Sequence, residues 1–317
     1  MRASSGWRAT EVLYRQRWWL LPLSALLLLS LLLSAPARAE PAQALRWMVQ
    51  ESPPHFNFVN GRPPATPEEL DTGSVGRYLR QLLGRLPGYR VEFVEANASR
   101  VEQQARQGET FCATQIKRTP QRLQWLYFTP LFPVLAGEEF RLVLRADLAA
   151  RISPEGQRPS LAELLNQSGL RVQVAVGRSF NPAIDALLAL HEVPRVQLDS
   201  RQSRRLLELV RGGRIDMTIE YGSIVRRFLG GRDAADGVTS LAFVEHQTPF
   251  DVMVACTRNA GGRAAIEAID AAVREIAREG LRAPWVSAWR EGGADAAALK
   301  RLQAYLDERA KGGPRID

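Results

Sequence analysis

The residues best suited to chemistry lie close together in Gly108–Pro133, GETFCATQIKRTPQRLQWLYFTPLFP. Thr119 is a good helix N-cap and Pro120 suits a first helical position, so Arg122 is expected in the first turn of a helix, beside free backbone N–H groups. Such a corner attracts anions. A guanidinium there can clamp a carboxylate with two parallel hydrogen bonds. The plainer alternative is that Arg122 pairs with a surface acid, and taken alone that reading wins, because most arginines are exposed. Gly177-Arg178-Ser179-Phe180-Asn181-Pro182 makes a second glycine turn feeding a helix with proline in its first turn. Ordinary capping accounts for it unless a partner site faces it. His55, His191 and His246 are scattered with no zinc-type spacing, and no Ser/His/Asp arrangement or pair of cleft carboxylates can be read.

The elements that must hold these residues follow an α/β pattern. Leu45–Val49 reads as a strand ending in the Pro53-Pro54-His55-Phe56 loop. Val75, Tyr78, Leu79, Leu82, Leu83 and Leu86 fall on one helix face. Arg90–Val94 alternates as a second strand, Ser99 with Glu102 forms a capping box, and Thr110–Gln115 is a short apolar strand. From Glu139 the pattern restarts. Strands are expected at Phe140–Leu144, Leu170–Val176, Val196–Leu198 and Ile215–Glu220, with Ser160 and Glu163 capping a short helix. In α/β sheets ligands sit beyond the carboxyl ends of strands, so Gln115 and Lys117 from one half and Glu220 and Tyr221 from the other would face a shared crevice. Further strands are expected at Leu241–Glu245 and Phe250–Cys256, then a long helix stopped by Gly280 and a surface helix at Ala294–Ala310.

The N-terminal forty residues differ from the rest. Four arginines precede an apolar run from Trp18 to Leu33, followed by Ala37-Arg38-Ala39. That is the make-up of a secretory signal peptide with cleavage after Ala39. An uncleaved anchor is the alternative, and the Ala-x-Ala site favours cleavage. Loss of residues 1–39 removes five Arg and one Glu, so the net charge drops from +8 to +4. Among the 42 basic residues only Lys117, Lys300 and Lys311 are lysines, and no basic block interleaves with aromatics. A nucleic-acid partner is therefore not expected. Cys112 and Cys256 are the two cysteines, and in an oxidising compartment such a pair reads as a disulfide ahead of two buried thiols. If they are bonded, the chain returns to its first lobe, with crossings near Leu131–Gly137 and Phe243–Thr248 that would make a two-segment hinge. The expected division is a signal peptide over 1–39, a first lobe over 40–136 and 246–290, a second lobe over 137–245, and a helical tail over 291–317.

Several weak motifs occur in a telling order: Trp47 with Pro53-Pro54-His55-Phe56, Lys117-Arg118-Thr119-Pro120-Gln121-Arg122 before Phe128-Thr129-Pro130, Val174–Ser179, Gly213-Arg214-Ile215-Asp216, and Cys256-Thr257-Arg258-Asn259 before the long helix. In these, roughly from Leu45 to Trp289, the chain resembles the family 3 periplasmic solute-binding proteins, the polar-amino-acid branch of ABC-transporter receptors. The resemblance implies two Rossmann-like lobes of the type II periplasmic binding protein kind, closing on a small molecule in the periplasm. It implies Arg122 as the carboxylate clamp, with Lys117 and Gln115 in the same pocket, Ser179 as a second-lobe hydroxyl, and Phe56 as the aromatic that stacks on the ligand. Tyr221 stands where an Asp is expected to meet a ligand amine, with Glu220 its neighbour on the opposite strand face, so the chain departs from the family pattern at the position that recognises a standard α-amino acid. The implied ligand is small and anionic or zwitterionic, amino-acid-like. The implied partner is a membrane permease, or a separate sensory membrane protein. A monomer without a cofactor is expected. Some relatives are enzymes, and a general-base role for Glu220 is the lesser reading.

Overall fold

The computed structural model describes residues 42–70, 73–133, 140–197, 202–232, 234–246, 251–291 and 294–317. The expected signal peptide lies outside the described residues, as do residues 134–137 and 247–248 of the expected crossings.

Leu45, Trp47, Met48 and Val49 are all buried, as expected of a strand covered on both faces. They lie on β1 (Gln43–Val49), which runs parallel to β2 (Tyr89–Glu95) on one side and to β3 (Cys112–Thr114) on the other. The connecting helices are α1 (Gly73–Leu83) and α2 (Ala98–Arg106). The apolar face read from the sequence is the buried face of α1: Val75, Tyr78, Leu79, Leu82 and Leu83. The capping box is corrected. Asn97 caps α2, accepting from Arg100 N at 2.9 Å, so Glu102 is left to pair with Arg106. β4 (Leu126–Pro133) ends the first passage.

The second sheet is built on β5 (Phe140–Arg145), with α3 (Ala146–Ile152) and α4 (Leu161–Asn166) after it. Ser160 caps α4 as expected, and Glu245 adds bonds to the N–H groups of Leu161 and Ala162. Short parallel strands β6 (Val174–Ala175) and β7 (Arg195–Val196) flank α5 (Pro182–Leu190). β6 is much shorter than the expected Leu170–Val176, and β7 overlaps the expected Val196–Leu198 only at Val196, Leu198 lying outside the described residues. Then come α6 (Gln202–Arg211), β8 (Met217–Tyr221), α7 (Gly222–Phe228), β9 (Ala234–Ala235) and β10 (Val238–Leu241). The sheet order is β8-β5-β10-β9. The strand expected at Leu241–Glu245 is displaced: β10 ends at Leu241, and Val244–His246 forms a 3-10 turn.

β11 (Asp251–Thr257) returns to the first sheet and lies antiparallel between β3 and β4, giving the order β2-β1-β3-β11-β4. Cys256 is the register partner of Cys112, and the expected disulfide joins them. α8 (Ala260–Arg278), α9 (Trp285–Arg290) and α10 (Ala296–Lys311) complete the chain. The two lobes have separate apolar cores, one around Trp47, Tyr78, Phe132 and Trp285, the other around Phe140, Phe180 and Met217. The last helix does more than lie on the surface. Leu302 and Leu306 enter the first core, and Arg309, 0 % exposed, bonds Asp270 Oδ1 at 2.8 Å. Asp270 also accepts from Thr129 Oγ1, Arg315 N and Arg274 Nε. Burial raises the Asp270 carboxyl, but these bonds, that of Arg309 first, outweigh it and hold the group below the usual carboxylate range.

Candidate functional site

A cavity of about 940 Å³ lies where the two lobes meet. From the first lobe it is lined by residues of the β1 loop (Glu51, Ser52, His55), by Thr114 at the end of β3, and by Gln115, Lys117 and Arg122 after it. The second lobe supplies Gly177–Pro182 and Tyr221. Of the residues expected here, Gln115, Lys117, Arg122, Ser179 and Tyr221 are brought together on this wall. Phe56 and Glu220 are not.

Phe56 is 1 % exposed and belongs to the first-lobe core, edge-on to Phe58. Its neighbour His55 lines the cavity instead. The physical reason is that the loop offers one large apolar side chain, and burial beneath α1 removes more apolar surface than a wet cleft would. Glu220, 1 % exposed, is occupied behind the wall: it is ion-paired to Arg178 and accepts from Tyr221 N at 2.8 Å. The pair holds the Arg178 guanidinium over the Tyr221 ring, 5.0 Å from its centroid.

Arg122 does not open a helix. It begins a single 3-10 turn, Arg122–Gln124, with Thr119 Oγ1 accepting from its N–H at 3.2 Å. The side chain is 5 % exposed. Nη1 donates to the Lys117 carbonyl at 2.9 Å, and Nη2 donates to the carbonyl of Gly177 across the cleft. Nε lies 3.9 Å from Glu102 Oε2. Burial lowers the Arg122 pKa, opposed by the Glu102 charge. Arg122 is therefore a buried cation that touches both lobes. On the opposite wall Gly177 has φ of +72°, and a Cβ there would stand 2.9 Å from Ser99 N, so the backbones approach as only glycine permits.

A second contact spans the lobes on the other side. His55 Nε2 lies 2.8 Å from Ser223 Oγ, and Nδ1 lies 3.3 Å from Ser74 Oγ. Ser179 donates its hydroxyl to Asp185, which also accepts from Phe180 N at 2.9 Å. The Lys117 ammonium stands 5.2 Å from the Phe140 ring centroid, and burial pushes its pKa down to about 8, against the raising effect of Asp185. Sequence reasoning missed His55, Ser223, Arg178 and Glu102. The one usable signal was position, since His55 abuts the expected Phe56 and Ser223 follows Tyr221 at the start of α7.

No family model matches the chain, and no curated protein does. Solved structures do. An ancestral arginine-binding protein bound to arginine superposes with a TM-score of 0.58 at 15 % identity, covering 79 % of this chain and 98 % of that one. EhuB in complex with hydroxyectoine gives 0.57 at 15 % identity, over 85 % and 95 %. An amino acid ABC transporter substrate-binding protein from Streptococcus pneumoniae, AbpA bound to L-arginine, gives 0.52 at 15 % identity, over 85 % and 97 %. At such identities the likeness is one of fold, and the fold is that of the type II periplasmic binding proteins: two α/β lobes with a cleft between them.

Proposed function

We propose that the protein is a periplasmic solute-binding protein that captures a small carboxylate between its lobes, without covalent change, and presents it to an ABC-type membrane permease. The observation that carries this reading is Arg122, a buried guanidinium on the cavity wall that reaches the Gly177 carbonyl of the other lobe. A carboxylate beside it would share its N–H donors, and Lys117 adds a second cation. Anion capture and lobe closure then become one event, in which the ligand shifts the open/closed balance toward the closed form. The molecules bound in the similar structures, arginine and hydroxyectoine, are small and polar, which supports the size and chemistry proposed. An oxidising compartment suits the Cys112–Cys256 bond.

The test is calorimetry of the wild type and Arg122→Ala against the small molecule retained through purification without refolding, identified by native mass spectrometry. Loss of a buried charged partner is expected to weaken binding by about 2–5 kcal/mol. Unchanged affinity in Arg122→Ala would refute the role given to Arg122. Recovery of a sensory membrane protein and no permease in a pull-down would redirect the proposed partner.

A further inference from the structure

Among the described residues, the acids that line the cavity are Glu51, Asp251 and Asp317. Asp317 accepts from Arg118 Nε at 2.6 Å, and Glu51 accepts from Phe58 N at 3.3 Å. Asp251, half-buried at the start of β11, accepts no hydrogen bond and forms no ion pair among the described residues. Arg315, Arg309 and Glu308 are near enough to act on its charge, but Arg309 is bonded to Asp270, and Arg315 is paired with Glu308. The Tyr305 hydroxyl, which feels the same charge, bonds nothing. Burial raises the Asp251 carboxyl above its ordinary range, against the pull of Arg315 and Arg309. A carboxylate so placed costs free energy until a cation meets it.

The strand register sets Asp251 opposite the cations of the cavity. β3 and β11 are antiparallel neighbours, and Gln115 N donates to Met253 O at 3.3 Å. Lys117 lies two residues past that bond and Asp251 two residues before it, so both overhang the same edge of the sheet. At about 3.3 Å per residue and about 4.8 Å between strands, one small molecule can reach from one to the other. Ile116, Val252 and Met253, between them in sequence, also line the cavity and give a connecting chain apolar surface. Trp289 lines it too, its indole N–H held at 3.1 Å by the carbonyl of Pro133, the register partner of Asp251.

A cation next to the clamped carboxylate would fare worse. It would meet Lys117, Arg122 and Arg178, whose guanidinium stands 5.0 Å from the Tyr221 ring centroid. The acids around those groups, Glu220, Asp185 and Glu102, already answer Arg178, Ser179 and Arg106. Given the carboxylate reading above, on which this rests, we propose that Asp251 holds an ammonium at the end of the ligand opposite its carboxylate, so that the molecule captured is an ω-amino acid in preference to an α-amino acid.

Calorimetry at pH 7 tests this with 4-aminobutyrate, 5-aminopentanoate and 6-aminohexanoate, each set against the unsubstituted acid, the 2-amino isomer and the plain alkylamine of the same length. At one length or more the ω-amino acid is expected to bind tighter than all three, by about tenfold or more. Asp251→Asn is expected to weaken it by about tenfold to a hundredfold and to leave the unsubstituted acid unchanged, whereas Glu51→Gln keeps the preference. Tightest binding by an unsubstituted acid or a 2-amino isomer, or a preference that survives Asp251→Asn, overturns the subsite. Alkylamine binding that depends on Asp251 while no acid binds overturns the carboxylate reading and leaves the cation subsite standing. If nothing in the panel binds, both fall. The ligand-free melting temperature checks for a purely structural role: it should hold or rise in Asp251→Asn. A fall of more than about 3 °C would mean that Arg315 or Arg309 already claims the carboxylate, and the subsite is then overturned.

Discussion

Lys117→Met isolates the cost of placing a cation in the cleft. The lysine is held at about 8 instead of its ordinary 10.5 by burial. At about 1.4 kcal/mol for each tenfold change in proton affinity, the upper bound on that cost is about 3 kcal/mol. The side chain is only partly buried, so about 1–2 kcal/mol is expected in practice. Below pH 8 the folded and unfolded chains both carry the proton, and the full penalty is present. Between about 8 and 10.5 the folded chain sheds its proton first, so wild-type stability climbs with pH. Above both values the penalty is gone. Urea denaturation of the ligand-free protein at pH 7, 8, 9 and 10 should therefore show Lys117→Met more stable than the wild type at pH 7, with the difference shrinking steadily as pH rises. A variant less stable at pH 7, or a difference flat with pH, would refute the reasoning.

Two other outcomes follow from the geometry. Gly177→Ala places a methyl 2.9 Å from Ser99 N across the cleft and costs about 1–2 kcal/mol for its left-handed backbone; small-angle scattering should report a larger radius of gyration, and an unchanged profile would contradict the close contact. Asp270→Asn removes the counter-charge of the fully buried Arg309 and should cost about 3–5 kcal/mol in thermal or chemical denaturation, with Asp270→Asn/Arg309→Met losing less than the single variant. Because the Asp270 carboxyl is held below its ordinary range, its contribution is present above the unfolded carboxylate pKa and disappears as pH falls through the lower folded value.

The architecture was largely readable because burial leaves periodic marks. The face of α1 is written at helical spacing, and the pairing of Cys112 with Cys256 correctly returned the chain to its first sheet. The site was readable only in part. Arg122, Lys117 and Gln115 lie on the wall because they follow the end of β3, a positional rule. What Arg122 touches was not legible, since its partner Gly177 lies 55 residues away, and local spacing carries no information about which carbonyl meets it. Glu220 and Phe56 failed for a related reason. Strand alternation does not tell a side chain that faces a cleft from one that faces a core, and Arg178 had already claimed the carboxylate. The cap of α2 was misplaced because Asn97 and Ser99 are both good caps, and the choice of Asn97 turns Glu102 toward Arg106 and Arg122.

Pro133 and Asp251 are register partners at neighbouring ends of β4 and β11. Topologically the two strands are the arms of a simple hairpin whose turn has been enlarged into an entire lobe. Both exits sit at one spot on the same ladder, so any swing of the inserted lobe is levered from a single fulcrum. The bulge between Val252 and Met253 lies right beside it, at the place where an antiparallel ribbon bends most readily.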